Sequence, residues 1–214
     1  MKVSKLLRNK RGNKIAIFLD DRYTFSVEES ILIEEGLFVG KQLAEEDLTR
    51  IQKDDLVATL ITRSLNLISS RPRSEKEIRD YLSQKLMKRK VEKGLAAVVR
   101  DDVLKLLKKK SYLNDDEFAL WWVKNRKEFK TRSRRELTAE LARKGIDNQI
   151  IRDVLAKEYP GSEEVETIER LAKKKLKGLE QKWLNERDLK QKLTEYLMRK
   201  GYSYDNIKQA LNKL

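Results

Sequence analysis

Paired carboxylates are the residues of this sequence that come closest to a catalytic or metal-binding pattern. They occur at Asp20–Asp21, Asp54–Asp55, Asp101–Asp102 and Asp115–Asp116. Such oxygens can hold a divalent cation or serve as acid and base. Neighbours on a helix, however, point about 100° apart and grip one metal poorly. Two of the pairs also fall in predicted first helical turns, where negative charge stabilises the helix dipole. We expect structural carboxylates, with no metal and no cofactor.

The sequence lacks the residue types that other common catalytic mechanisms use. The 214 residues include no histidine and no cysteine, and the eight glycines form no phosphate-binding loop. The sequence therefore predicts no catalytic residue and no enzyme, although a metal-dependent hydrolase stays open as a third alternative. The absence of cysteine, of a secretory signal and of a run of about 18 apolar residues predicts a cytoplasmic protein without a membrane partner.

Basic side chains carry the clearest functional signal. The formal net charge is +14, and the stretches 71–93 and 124–144 hold nine basic residues each, against four and three acidic ones. A surface of this kind favours a polyanion, although a solvated helix face is the alternative. Both stretches surround the second helix of a predicted repeat, so stacking is expected to bring their cations to one face. The candidate binding residues are Arg71, Arg73, Lys76, Arg126, Arg132, Arg134, Arg135, Arg143 and Lys144.

The helices that position these cations begin with three similar motifs. Ser74, Ser133 and Asn185 each precede an acid by three residues, which is the pattern of a capping box. An apolar pair at helical spacing follows each box, and the last of these pairs is Leu189/Leu193. Glycines that end helices follow in the second and third copies, at Gly145 and Gly201.

The motifs indicate three copies of a three-helix unit. Ile151, Val154 and Leu155 in the second copy match residues 56 positions later in the third, whereas the capping boxes are 52 apart. The third copy is therefore expected to carry one extra helical turn. The fold class is predicted to be mainly α: an elongated, curved tandem array of repeats over 54–111, 112–159 and 160–214.

Residues 1–53 are predicted to form a separate, small β-rich domain. Their net charge is only +1, whereas residues 54–214 carry +13. Alternating apolar residues predict a hairpin over 14–27 that turns at Asp20-Asp21-Arg22. An earlier strand at Val3–Leu7, turned at Gly12–Asn13, and a short helix ended by Gly36 complete the domain. The first helix of the first repeat is predicted to begin at residue 54.

Two other features leave alternatives. As a DNA-recognition helix, Asp147–Tyr159 would present three acidic and only two basic side chains to the DNA, which disfavours a sequence-specific regulator.

Trp122 shares a helical stripe with Phe118 and is predicted to lie in the core. Trp121 points elsewhere, and either covers a junction between units or anchors a partner.

The repeat motifs resemble the RecX family, bacterial regulators of the RecA recombinase. The resemblance rests on "YLNDDEFALWWVKNR" (112–126), "SRRELTAELARKGID" (133–147) and, in the first repeat, "RPRSEKEIRDYL" (71–82). It covers essentially residues 54–214. Ser111 stands where the family commonly has glycine, which predicts a less sharp helix end there. The long link 83–97 is expected to extend a helix or form a basic loop.

The resemblance implies a monomeric, non-enzymatic regulator that lies in the groove of a RecA filament on single-stranded DNA. It would bridge adjacent protomers and block ATPase, strand exchange and coprotease activity. Implied partners are the RecA filament and the phosphates of single-stranded DNA, with double-stranded DNA as a further candidate. The alternative function is a general, sequence-independent DNA- or RNA-binding protein.

Overall fold

The computed structural model describes residues 1–9, 14–129, 132–178 and 185–213. The chain divides into two compact units. The first comprises Met1–Arg71 and Ile78–Leu113, and the second comprises Pro72–Glu77 and Asn114–Leu214. The predicted turn at Gly12–Asn13 lies outside the described residues.

A three-stranded antiparallel sheet opens the first unit, in the order β1-β2-β3. The strands are β1 (Val3–Arg8), β2 (Lys14–Leu19) and β3 (Arg22–Glu28). Asp20 and Asp21 both have positive φ, 46° and 63°, which is the backbone that a two-residue hairpin turn needs. The hairpin prediction is confirmed, except that Arg22 already belongs to the strand.

Two helices follow the sheet, α1 (Glu29–Glu34) and the 26-residue α2 (Glu45–Ser70). The prediction that the second of them begins at residue 54 is wrong. Residue 44 is an alanine, so no side chain there signals the start; instead the Asp47 carboxylate accepts the Ala44 N–H at 3.0 Å. Ile51 packs in the core of the sheet and Leu60 in that of the first helical bundle. The proposed domain boundary near residue 54 therefore falls within one continuous helix.

The first bundle is completed by α3 (Glu75–Lys88) and α4 (Lys93–Lys109). Of the long link 83–97, α3 includes residues 83–88 and α4 includes residues 93–97, so that residues 89–92 connect the two helices. Ser111 adopts φ 57°, as a glycine would, and its N–H donates to the Lys108 carbonyl at 2.9 Å. The prediction that α4 ends less sharply is therefore wrong, because Ser111 adopts the left-handed backbone conformation that ends the helix.

The second unit holds two further three-helix bundles with separate apolar cores. One consists of α5 (Asp115–Phe129), α6 (Arg134–Arg143) and α7 (Asn148–Glu158). The other consists of α8 (Gly161–Leu176), α9 (Glu186–Arg199) and α10 (Tyr204–Leu211). Within the described residues the chain is thus mainly helical, with three three-helix bundles after a small sheet, as predicted.

The last two bundles repeat with a spacing of 56 residues. Leu137 and Leu141 are buried in one, and Leu193 and Leu197 in the other. Helix α9 has 14 residues against ten in α6, and the additional turn lies at its N-terminus. The extra turn is confirmed, but the prediction that Leu189/Leu193 is the matching apolar pair is wrong by that turn.

A repeated joint connects helices inside the second unit. Ser74 and Ser133 are both fully buried, and each accepts the amide N–H three residues later at 3.2 Å. The amide that follows each serine is capped by an acid from a later helix: Glu75 N–H donates to Asp115 at 2.8 Å. Likewise, Arg134 N–H donates to Glu164 at 2.7 Å.

Glycines make the close approach at each joint possible. Gly145 and Gly201 have φ of 81° and 84°. A Cβ at Gly145 would lie 2.6 Å from the Cβ of Lys76, and one at Gly201 would lie 2.7 Å from Ser133 Oγ. Both positions therefore need glycine for its backbone freedom and for its missing side chain.

Candidate interaction surface

Three of the predicted binding cations lie beside Trp122 or beside Glu140, which accepts a hydrogen bond from that tryptophan. Glu140 Oε2 accepts hydrogen bonds from Trp122 Nε1 at 2.8 Å and from Arg126 Nε at 2.7 Å. The other oxygen, Oε1, lies 3.5 Å from Arg132 Nε. Arg126 covers one ring of Trp122 at 4.3 Å, and the Lys144 ammonium lies 5.1 Å from that ring system. These contacts tie α5 to α6 by cation–π and charge-assisted bonds.

The charge around Glu140 affects its protonation. Burial raises the pKa of this carboxyl, whereas the hydrogen bonds from Arg126 and Trp122 lower it. The nearby charges of Arg126 and Arg132 act in the same direction, so the pKa lies below its ordinary value. Lys144, which also lies over Trp122, has a carboxylate partner in Glu77 at 2.5 Å. Arg126, Arg132 and Lys144 therefore stabilise the second unit and are not free to serve a partner alone.

Arg134 has a structural contact as well. Its guanidinium donates to the Tyr159 carbonyl at 2.6 Å. Its backbone amide is the one capped by Glu164, a buried carboxylate that also accepts from Asn206 Nδ2 at 2.8 Å. Glu164 thereby joins α6, α8 and the start of α10.

Arg135 and Arg143 lie exposed on the outer side of α6. Within the described ranges, neither forms an ion pair. Of the predicted cations, these two are the best placed to meet an external anion.

The prediction that stacking brings Lys76 to the same face as Arg132, Arg134 and Arg135 stays a prediction. Lys76 packs against Gly145, just beyond the C-terminal end of α6, whereas those arginines lie at its other end. The ten residues of α6 separate the two ends by about 15 Å. Arg71 follows the end of α2 in the first unit, and Arg73 is half-buried in the second.

The predicted core role of Trp122 is confirmed, since it packs partly buried against the second core. Trp121 packs against the same core, with its ring centroid 5.9 Å from that of Phe118. The structure therefore does not support Trp121 as a fully exposed anchor.

The structure contains two grooves with cationic edges that the sequence patterns did not predict. One lies between α6 and α7, has a volume of about 410 Å³, and is edged by Arg134 and Arg152. The other lies between α9 and α10, has a volume of about 350 Å³, and is edged by Lys190 and Lys208. The 56-residue spacing carries the signal for both grooves, but their edge cations lie on two different helices, so the charge pattern of a single helix does not reveal them.

The acid pairs have structural partners. Asp55 accepts from Lys14 Nζ and from the Glu28 amide, each at 2.7 Å. Asp101 and Asp102 pair with Arg79 and Lys53 respectively. In the part of the chain that the structure describes, no three His, Cys, Asp or Glu side chains gather as metal ligands. Nor is any described helix long and apolar enough to cross a membrane.

Comparison with known proteins gives consistent matches. The first, second and third three-helix domains of RecX match residues 61–87, 114–155 and 162–211. The regulatory protein RecX of Bacillus licheniformis is 34% identical over 212 residues, which is 99% of this chain and 76% of that protein. The regulatory protein RecX of Listeria innocua is 35% identical over 98% of this chain and 74% of that protein.

A solved structure also resembles the whole chain. A crystal structure of regulatory protein RecX superposes with a TM-score of 0.76 at 26% identity, over 99% of this chain and 98% of that one. The likeness extends beyond the three helical bundles to the N-terminal sheet region.

Proposed function

The chain belongs to the RecX family of regulatory proteins, and on that basis we propose that it is a non-enzymatic inhibitor of the RecA recombinase. It binds in the groove of the RecA filament on single-stranded DNA. There it contacts adjacent protomers, restrains their ATP-linked motion, and blocks strand exchange and coprotease activity. It acts in the cytoplasm, as a monomer and without a cofactor.

The observation that carries this proposal is the residue-by-residue repeat of the last two bundles. Buried leucines, helix-ending glycines and outward cations of the second bundle recur 56 residues later in the third. A repeated surface suits a partner that is itself repeated, because weak contacts in series combine into strong binding. A RecA filament offers such a repeat, whereas a small-molecule substrate does not.

Charge supports the same partner. Residues 54–214 carry the net +13, and Arg135 and Arg143 stand exposed on α6. Lysine and arginine contacts to phosphates position a protein on DNA without reading its sequence. In a filament, these cations meet DNA phosphates or acidic side chains of the protein.

The test measures RecA ATPase and strand exchange with the unaltered chain and with Arg135→Glu/Arg143→Glu. We expect the unaltered chain to inhibit both reactions and the double variant to need roughly tenfold more protein for half inhibition. Arg132 and Arg134 are left unchanged because their reversal would break contacts within the second unit. Lys2→Glu/Lys5→Glu, two exposed positions in the sheet region, makes the same change in net charge and serves as the control.

Full RecA activity at saturating concentrations of the unaltered chain contradicts the proposal. Equal loss of inhibition in both double variants removes Arg135 and Arg143 from the binding surface and leaves only a general charge effect.

The net charge also favours the second candidate, a general nucleic-acid-binding protein. Titration of bare single-stranded DNA at two salt concentrations separates the two functions. Phosphate binding weakens steeply with salt, whereas a mixed protein interface persists further. Binding to bare DNA as tight as to the filament, with the same salt dependence, favours the second candidate.

A further inference from the structure

The two grooves of the second unit are copies of one another at the level of single residues. Six of the seven residues that line the groove between α6 and α7 have a counterpart 56 residues later in the other groove, and Ala156 is the exception. The pairs are Arg134 and Lys190, Thr138 and Thr194, Asn148 and Tyr204, Ile151 and Ile207, Arg152 and Lys208, and Leu155 and Leu211. A matching cavity with matching edges is more than the repetition of a core requires, because outward residues are under no packing constraint.

The floor of each groove is apolar. Ile151 and Leu155 line one, and Ile207 and Leu211 line the other. The threonine beside each floor uses its hydroxyl within its own helix: Thr138 donates to the Arg134 carbonyl at 2.9 Å, and Thr194 to the Lys190 carbonyl at 2.8 Å. With the hydroxyls engaged in this way, the threonine methyl groups extend the apolar lining.

The edges carry cations with neutral partners. Arg134 donates to a carbonyl, Arg152 donates to Gln149 Oε1 at 2.6 Å, and Lys190 lies 3.5 Å from Asn212 Oδ1. Among the described residues, none of these groups nor Lys208 pairs with a carboxylate. By contrast, Arg126, Arg132 and Lys144 in the same unit are all paired with glutamates. The grooves thus retain positive charge that the chain itself does not neutralise.

We propose that these grooves are two equivalent docking sites for one protein segment presented twice, by successive subunits of a protein polymer. The segment carries an apolar side chain flanked by carboxylates. The apolar side chain enters the groove and the carboxylates meet the two edge cations. This inference rests on the proposed function, in which that polymer is the RecA filament. It identifies the surface of the chain that binds the RecA protein and not the DNA.

Nucleic acid fits these grooves less well. Phosphates gain nothing from an apolar floor, and stacked bases need aromatic platforms. An aromatic residue, Tyr204, lines only the second groove, and Asn148 takes its place in the first. A protein segment uses the floor and both edges together.

The two sites differ on one rim. Arg187, Gln191 and Glu195 also line the second groove, and the first bundle has Arg135 and Ala139 at the positions that match Gln191 and Glu195. The charges of Arg187 and Glu195 offset each other at the second groove, whereas Arg135, next to Arg134 in the chain, adds positive charge beside the first. The groove between α6 and α7 is therefore the tighter site.

The experiment uses the full chain and measures its binding to RecA filaments on single-stranded DNA and, separately, to the same DNA without RecA. The variants are Arg152→Glu, Lys208→Glu and the double change. Lys157→Glu/Lys192→Glu is the control, because these exposed lysines lie on α7 and α9 but line neither groove. Circular dichroism checks folding, and Arg152→Ala/Lys208→Ala replaces the reversal if the latter unfolds the chain.

We expect a loss of filament affinity of about tenfold for Arg152→Glu, a smaller loss for Lys208→Glu, and a loss of about a hundredfold for the double variant. Binding to bare DNA should fall no further in the double variant than in the control. Filament binding equal to that of the control overturns the docking sites while leaving the proposed function intact. An equal loss on bare DNA also overturns them, since the cations then contact phosphates. If the unaltered chain does not bind filaments, the proposed function itself fails.

Discussion

Glu140 illustrates how single residues limit the cations that a partner can use. One carboxylate accepts from Trp122 and Arg126 and lies beside Arg132. Its hydrogen bonds to α5 hold α5 and α6 together. Its negative charge also neutralises Arg126 and Arg132, which the sequence alone predicts to be available to a partner. The nine predicted binding residues therefore include groups that stabilise the fold as well as groups that face outward.

The first prediction concerns Glu140→Gln. The loss of the charged acceptor should lower the free energy of unfolding by about 1.5–3 kcal/mol at pH 7. Because its pKa is depressed in the folded chain, the stabilisation is present above the unfolded pKa and is lost as pH falls through the lower, folded value. The difference between the two proteins should thus shrink below about pH 4.

Urea unfolding followed by circular dichroism between pH 7 and pH 3.5 measures this difference. Glu128→Gln removes an exposed carboxylate from α5 and is the control, with an expected change within about 0.5 kcal/mol. A difference that persists undiminished at the lowest pH would show that the Glu140 charge has no such role.

Sequence reasoning at this scale found the types of residue but not their partners. The partners of Arg134 are Tyr159 and Glu164, which lie 25 and 30 residues further along the chain. Such contacts depend on how α6, α7 and α8 pack, and no local pattern reports them. The exposed positions of Arg135 and Arg143, in contrast, follow from the periodicity of α6.

At the scale of elements, the serine and glycine joints set the spacing between helices. Ser133 is the N-cap of α6, and Gly201 follows the C-terminal end of α9. The two residues lie so close together that a side chain at position 201 would clash with Ser133. The sequence predicts both residues, one as a helix cap and the other as a helix end. It does not predict that they touch, because each signal is local.

The second prediction is therefore that Gly201→Ala destabilises the second unit by about 2–4 kcal/mol, from backbone strain and from the clash with Ser133 Oγ. Gly161→Ala is the control in the same unit, since Gly161 has no positive φ and nothing lies within 4 Å of its missing Cβ. Hydrogen exchange of amides in α6 and α9 reports the change. Equal exchange in the two variants would contradict the close contact at this joint.

The start of α2 shows where prediction of elements fails. The Asp47 carboxylate accepts the N–H of Ala44, three residues earlier, at the start of this helix. Because residue 44 is not a serine or threonine, the sequence carries no N-cap signal at that boundary. The repeats of the second unit were predictable because the capping residues Ser133, Asn185 and Ser203 stand at the helix starts themselves.

At the scale of the whole molecule, charge and repetition occur together. Net positive charge lies almost entirely in residues 54–214, where the three RecX domains match. Within the second unit, the grooves repeat with the same register as the cores. A regulator that uses two copies of one surface against two copies of one partner gains affinity without a deep pocket.

The most direct test of the central claim is a low-resolution electron cryomicroscopy map of the chain bound to RecA filaments on single-stranded DNA. We predict added density in the helical groove of the filament that contacts adjacent protomers along its length. A filament without added density, under conditions in which the chain coats bare single-stranded DNA, would contradict the account and favour a general nucleic-acid-binding protein.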